Sequence, residues 1–309
     1  MSHRIKNPIS SAKSLELTAS RKKTVSTLLK IGVSVLLLYF VFTKISFQEI
    51  WSTLKKVNLF FILLATLFFI LSQWVSAKRL LLFFKAKNFF LSDHSNTVLY
   101  LIGMFYNFFI PGGIGGDAYK VFVLNKKFKW SVKQLSAIVF LDRFMGLTAI
   151  GILVVLMSFN LLKMYDLIWL LPLALVAGLG AAYFFVRKLF PSFLGIFSKT
   201  LIYSLGVQIL QVAVLICIIF SLENPSNFLE YVFVFLISSV LSIFSFSGIG
   251  VREFVFLEAA QILSIDPSTA VTVGILFSII TAAVSTLGVF YHFKTPELTL
   301  SDESIPKEE

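Results

Sequence analysis

The sequence predicts an all-α polytopic membrane protein, with about six full spans and two broken, re-entrant helical hairpins arranged as an inverted repeat. Three observations predict it. Hydrophobic residues make up 57% of the 309-residue chain and charged residues only 14%, where a soluble domain carries about a quarter charged. Apolar runs of about 20 residues, the length that crosses ~30 Å of hydrocarbon, recur along the chain. Two further apolar segments run straight into a Gly-Ile-Gly break that is followed by charge.

Each element follows from that pattern. Residues 1–24 are a polar, basic tail. The first span, 27–43, carries IGVSVLLLYFVFT and leads into KISFQE rather than a small-residue cleavage site. It therefore reads as a retained helix, with Lys30 snorkelling to the surface. Further spans are read at 59–77, 131–158, 166–186, 200–220 and 267–291. Between them, segment 96–111 ends in Pro111-Gly112-Gly113-Ile114-Gly115-Gly116, and segment 229–246 leads into Gly248-Ile249-Gly250. A half-polar helix follows each break, AYKVFVLNKKF (118–128) and VREFVFLEAAQIL (251–263). Residues 294–309 are a polar C-terminal tail, expected to be flexible. One transmembrane domain remains, 25–293, with halves of about 25–160 and 161–293. The stripe Ala174, Gly178, Ala182 reads as a helix-packing surface.

Positive charge chooses the threading. If both broken segments span, eight crossings result, and the inside loops carry five Lys/Arg against twelve outside. If both re-enter, loops 78–87, 120–133 and 187–199 collect twelve on the cytoplasmic side against five outside, as positive-inside topology requires. Each half then reads span, span, hairpin, span. Three crossings reverse the chain, so the second half enters from the opposite face. Paired, interrupted segments in inverted halves point to a binding site near the midplane.

The chemistry of the breaks points the same way. Irregular backbone survives at membrane depth only where protein or a wet cavity satisfies its amides. Glycine permits the turn, and Pro111 ends the incoming helix by withholding a donor. The freed N–H groups at the start of the following helix, with its dipole, suit an anion. An ionisable side chain at the bilayer centre costs about 2.5–3.5 kcal/mol, yet three acid–base clusters occur. They are Asp117 with Lys120, Asp142 with Arg143 near the middle of 131–158, and Arg252 with Glu253. They are expected to form a cavity with Gly112, Gly113, Gly115, Gly116, Gly248 and Gly250, in which Arg143, Arg252 and Lys120 face an anionic headgroup. The same pairs also read as ion pairs that lock helices together. Ser204, Gln208 and Gln211 share one helix face, and either line that cavity or bond a neighbouring helix.

Several classes are excluded. One cysteine, Cys217, and three scattered histidines, His3, His94 and His292, supply no intramolecular disulfide, metal-ligand cluster or Cys/His nucleophile. No nucleotide-binding G-x-x-x-x-G-K-[ST] loop occurs. No cofactor, metal or catalytic group is expected. The net charge of +11 sits in loops beside apolar runs, where it sets topology and meets anionic lipid. Membrane lipids, and not nucleic acid, are the expected partners.

Three ordered motifs carry a family resemblance. Asn107–Lys120 (N-x-x-x-P-G-x-x-G-G-D-x-x-K), Leu141-Asp142-Arg143 with Gly146, and Gly248-x-Gly250-Val251-Arg252-Glu253 resemble the lysylphosphatidylglycerol synthase transmembrane-region family, also described as flippase-like. The resemblance covers about residues 25–293. It implies a bacterial or archaeal inner-membrane protein, both termini cytoplasmic, that moves a phospholipid or other anionic lipid-linked substrate between leaflets, and it adds Asn107 to the expected site. Longer members carry an aminoacyl-transferase domain; these 309 residues show none, so lysine transfer by this chain alone is not expected. The family often has Arg where Lys120 stands, and Pro and Gly where Ile243 and Ser247 stand, which leaves the second break less sharply defined. The alternatives are a membrane-embedded headgroup transferase with Asp117, Asp142 or Glu253 as base, or a partner of a separate synthase. A homo-oligomer is open on the sequence.

Overall fold

The computed structural model describes residues 35–36, 39, 42–43, 47–109, 115–222, 227–242, 250–293 and 297–301. The expected span 27–43 therefore lies largely outside the described residues, although Val35, Leu36, Tyr39, Phe42 and Thr43 are helical. The helices are α1 (Phe47–Leu54), α2 (Leu59–Lys85), α3 (Asp93–Phe109), α4 (Gly115–Phe128), α5 (Val132–Met157), α6 (Phe159–Met164), α7 (Leu170–Leu189), α8 (Phe197–Ser221), α9 (Phe228–Leu241), α10 (Val251–Leu263) and α11 (Pro267–Phe293). A 3₁₀ turn, Pro191–Ile196, leads into α8. Five stretches among the described residues are long and apolar enough to cross a membrane: Leu59–Lys85, Val132–Met164, Leu170–Leu189, Pro191–Ser221 and Pro267–Phe293.

The fold is organised around α2 and α8, which pack along their length. At one end the Asn58 N–H donates to the Ser221 carbonyl at 2.9 Å, while the Asn58 side chain caps α2 by accepting from Phe60 N–H. Farther along, Arg79 of α2 reaches Ser204 of α8, so the two helices are antiparallel. Residues 78–85, expected as loop, continue α2. The apolar run Leu80–Phe84 is buried almost throughout, and burial outweighs the two charges before it.

Both broken segments are hairpins. In the first, Asn107 meets Gly116, Tyr106 meets Tyr119 with ring centroids 4.7 Å apart, and Tyr100 lies under Lys120. Partner numbers rise along α4 as they fall along α3, so the arms run antiparallel. In the second, Phe235 faces Arg252 and Tyr231 faces Phe256 at 6.3 Å, again antiparallel.

Each hairpin closes at the end from which it opened. Phe89, just before α3, stacks on Trp130, just after α4, at 4.4 Å. The turn before α8 joins them there through Phe193, 5.9 Å from Phe83, with Lys87 over its ring at 5.1 Å. The second hairpin opens at the other end of α2: Phe228 lies 5.7 Å from Phe220, and Ser268 hydrogen-bonds Thr53 at 3.3 Å. The hairpins therefore open toward opposite ends of the molecule, as an inverted repeat requires, and the basic loops share one end.

Two further details depart from the expectations. The tail beyond 294 is held down over 297–301: Leu298 is buried, the Ser301 N–H donates to the Phe90 carbonyl at 2.8 Å, and Ser92 N–H to Thr299 at 3.0 Å. The stripe Ala174, Gly178, Ala182 packs in part: Ala182 is buried in a core cluster with Leu141 and Met145 of α5, while Ala174 and Gly178 stay exposed. The stripe lines an apolar groove of about 530 Å³ between α5 and α7, and a Cβ on Gly178 meets nothing within 4 Å.

The hairpin arrangement predicts opposite accessibility for Lys55 and Lys127. In a Cys217→Ala background, Lys55→Cys and Lys127→Cys are expected to react with an impermeant maleimide from opposite sides of the membrane. Labelling of both from one side contradicts the hairpins.

Candidate functional site

The first hairpin is made possible by the removal of side chains. A Cβ on Gly116 overlaps the Gly103 carbonyl, and one on Gly103 comes within 2.5 Å of Lys120 Cε. With hydrogen at both positions, the α3 and α4 backbones touch. Asn107 Oδ1 accepts the Gly116 N–H at 2.8 Å, satisfying one of the free amides that begin α4. Gly115 is the first residue of that helix.

This close approach buries Asp117 and Lys120. Asp117 Oδ1 lies 3.4 Å from Lys120 Nζ, and Arg143 of α5 donates through Nε to Asp117 Oδ2. Lys120 also sits 4.6 Å from the Tyr100 ring centre. One carboxylate thus ties α4 to α5 and neutralises its own helical neighbour. Lys120, counted both among the cytoplasmic loop charges and among the expected cavity residues, is 5% exposed.

Asp142 does not pair with the adjacent Arg143. Successive residues on a helix point about 100° apart, and Asp142 faces α2, where Arg79 Nε donates to it at 2.7 Å. Arg79 Nη1 donates to Ser204 Oγ at 2.8 Å, which joins α2, α5 and α8 in one buried contact. Gly146 lies beside this contact, its Cβ position 3.6 Å from Arg79 Nη1, an ordinary van der Waals distance. Arg79 is the residue that sequence reasoning missed as a site member, because it was counted as a loop charge. The available signal was the helical spacing of Ser72, Ser76 and Arg79, with an apolar run continuing behind them.

The second hairpin re-starts its chain at Gly250, whose φ of 85° suits glycine. Glu253 reaches back from the first turn of α10, and its Oε2 accepts the Gly250 N–H at 2.7 Å. Its Oε1 accepts the Ser278 hydroxyl at 2.9 Å. Arg252 donates through Nη1 to the same Ser278 at 3.3 Å and lies over Phe277 at 4.5 Å and Phe235 at 6.0 Å. Gly274 of α11 lies beside α10, its Cβ position 3.6 Å from the Glu253 backbone, an ordinary van der Waals distance.

The expected site residues therefore fall into three groups. Asn107, Gly115, Gly116, Asp117, Lys120 and Arg143 meet at the first hairpin; Asp142 joins Arg79; Gly250, Arg252 and Glu253 meet at the second. Gly112, Gly113 and Gly248 lie outside the described residues. Buried polar side chains lead from one hairpin toward the other. Ser76 and Ser72 follow Arg79 along α2, and Gln208 follows Ser204 along α8; all four hydroxyl and amide residues are buried. The same α2 face reaches Phe69, 5.9 Å from Phe277, on which Arg252 rests. The first half gathers three cations, Arg79, Lys120 and Arg143, against two carboxylates, Asp117 and Asp142.

Residues 27–199 match the family described as the lysylphosphatidylglycerol synthase TM region. A search of the curated proteins finds no match. The matched stretch contains the first hairpin and Asp142-Arg143 and ends before the second hairpin.

Two stability outcomes follow from this packing. Gly116→Ala is expected to cost about 1–3 kcal/mol or more from overpacking, whereas Gly178→Ala leaves thermal unfolding in detergent essentially unchanged. Asp142→Ala leaves Arg79 without its carboxylate and is expected to cost about 3–5 kcal/mol, most of it recovered in the Arg79→Met/Asp142→Leu double variant. Equal losses in the single and double variants contradict the pairing.

Proposed function

Because the chain belongs to the lysylphosphatidylglycerol synthase transmembrane-region family, we propose that it moves an anionic phospholipid, or another anionic lipid-linked substrate, between the two leaflets of the cytoplasmic membrane. The observation that carries this reading is the pair of hairpins opened toward opposite ends, with buried charge near each turn. An interrupted helix from either half gives a headgroup one polar stop reachable from each side.

The polar headgroup follows the side chains between the hairpins while the acyl chains remain in hydrocarbon. In the first half, Asp117 occupies Arg143 and Lys120. A phosphate entering there shares Arg143 and Lys120 with Asp117, whose carboxylate stays beside them, so no charge is left bare in a low-dielectric interior. In the second half, Arg252 takes the same part. The apolar groove between α5 and α7 offers a lipid tail a path beside Arg143's helix. The basic end lies on the cytoplasmic side, where Lys85, Lys87, Lys126, Lys127 and Lys129 meet anionic lipid. No nucleotide-binding loop is present in the sequence, so transport in this scheme runs down a gradient or is coupled to an ion.

Reconstitution of the purified chain into liposomes that contain fluorescent phosphatidylglycerol tests the reading. Dithionite bleaching is expected to reach the inner leaflet with the wild-type chain. Arg143→Ala and Arg252→Ala are each expected to slow that phase at least about tenfold, the rate equivalent of ~1.4 kcal/mol. Bleaching that is indifferent to both substitutions rejects the site, and absence of transport by the wild-type chain rejects the function.

A further inference from the structure

The two halves differ in how their cations are met. Arg79, Lys120 and Arg143 each hold a carboxylate. Arg252 holds none within 4.0 Å among the described residues, although it is 8% exposed. Its one hydrogen bond goes to a neutral hydroxyl, Ser278 Oγ, at 3.3 Å. Its Nε is buried without any hydrogen-bond partner. Ring contacts with Phe277 and Phe235 stabilise the cation but accept none of its N–H groups.

Glu253 is near but engaged. Its two oxygens are taken by Gly250 N–H and by the Ser278 hydroxyl, so it lies one hydroxyl away from Arg252. The pair is held apart by Ser278. The guanidinium edge made by Nε and Nη2 is left for a group that accepts two parallel N–H donors, the geometry in which Arg meets a carboxylate or a phosphate ester. The positive end of α10, a 13-residue helix, adds to the same attraction. The Glu253 carboxylate opposes a second negative charge, and between two phenyl rings that opposition is weakly screened.

We infer that Arg252, with Ser278 and the start of α10, forms a monoanion site that binds a two-oxygen group carrying one charge, a phosphodiester or a carboxylate, in preference to a dianion. The first hairpin, with its cations already paired, is the weaker of the two anion sites. The lipid source of that anion rests on the translocation reading; the site itself does not.

The test uses the full chain in dodecyl maltoside micelles, which carry no phosphate or carboxylate, and reads thermal stability. Phosphatidylglycerol, a phosphodiester, is expected to raise the melting temperature saturably, and phosphatidic acid at pH 8.5, largely a dianion, to do so only at higher fractions. Arg252→Gln abolishes the response. Arg252→Lys, which keeps the charge and loses the fork, weakens it about tenfold and serves should the Gln variant fail to fold. Lys163→Gln, at an exposed position, keeps the response. A response that persists in Arg252→Lys at full strength, or equal protection by phosphatidic acid, overturns the inference. Soluble dimethyl phosphate forms the other arm: protection at the same concentration as the lipid overturns the lipid source and leaves a free-anion site. Binding lost in Arg252→Lys, together with no leaflet transport by the wild-type chain, upholds the site while rejecting translocation.

Discussion

A guanidinium taken out of water has to be met by protein, and much of the interior follows from that requirement. Arg79 lies more than five turns into a hydrophobic helix, where its side-chain hydrogen bonds among the described residues go to Asp142 and Ser204. Their positions bring three helices to one point. Asp117 makes the second such point and holds α4 against α5 through Arg143. Either carboxylate stripped of its partner would be as costly as the cation it now serves, so the pairs constrain helix placement more than they add net stability.

Glycine lets the backbone come close enough for those pairs to form. Gly103 and Gly116 put two helices in backbone contact, and a Cβ on Gly288 of α11 would overlap the Leu101 carbonyl of α3. Gly274 of α11 is not under that constraint, since a Cβ there would stand 3.6 Å from the Glu253 backbone, an ordinary van der Waals distance. In lipid, where apolar surface alone drives little association between helices, close contact and interhelical hydrogen bonds carry the packing. The hairpins are therefore held by small residues at the crossings and by charge near the turns. The larger aromatic rings fill the ends, as Phe89, Phe128 and Trp130 do beside the basic loops.

The inverted halves share a plan without sharing a charge arrangement. In the first, the acidic residue directly after the glycines, Asp117, gathers two cations, Lys120 of its own helix and Arg143 of α5. In the second, the acidic residue turns back to cap its own helix at Gly250, and the arginine beside it is given a serine and two phenyl rings. The first hairpin thus holds a closed ion-pair cluster, and the second holds a cation open along an edge.

Composition and spacing determined the membrane class, the helical hairpins and the candidate charges, because the energies involved are large and local. Hydrocarbon admits only apolar helices, glycine pairs mark the breaks, and α10 was bounded from its sequence at residues 251–263 as the structure has it. Positive charge also grouped the loops that the structure places together at one end, around Phe89, Trp130 and Phe193. Partner choice was decided by tertiary structure alone. Asp142 sits beside Arg143 in the chain and beside Arg79 in space, 63 positions away; Ser278 separates Arg252 from Glu253 from another helix altogether. Neighbouring residues on a helix face different ways, so a charged pair adjacent in sequence is split by the geometry of the helix, and its partners become known only when the other helices have been packed around it.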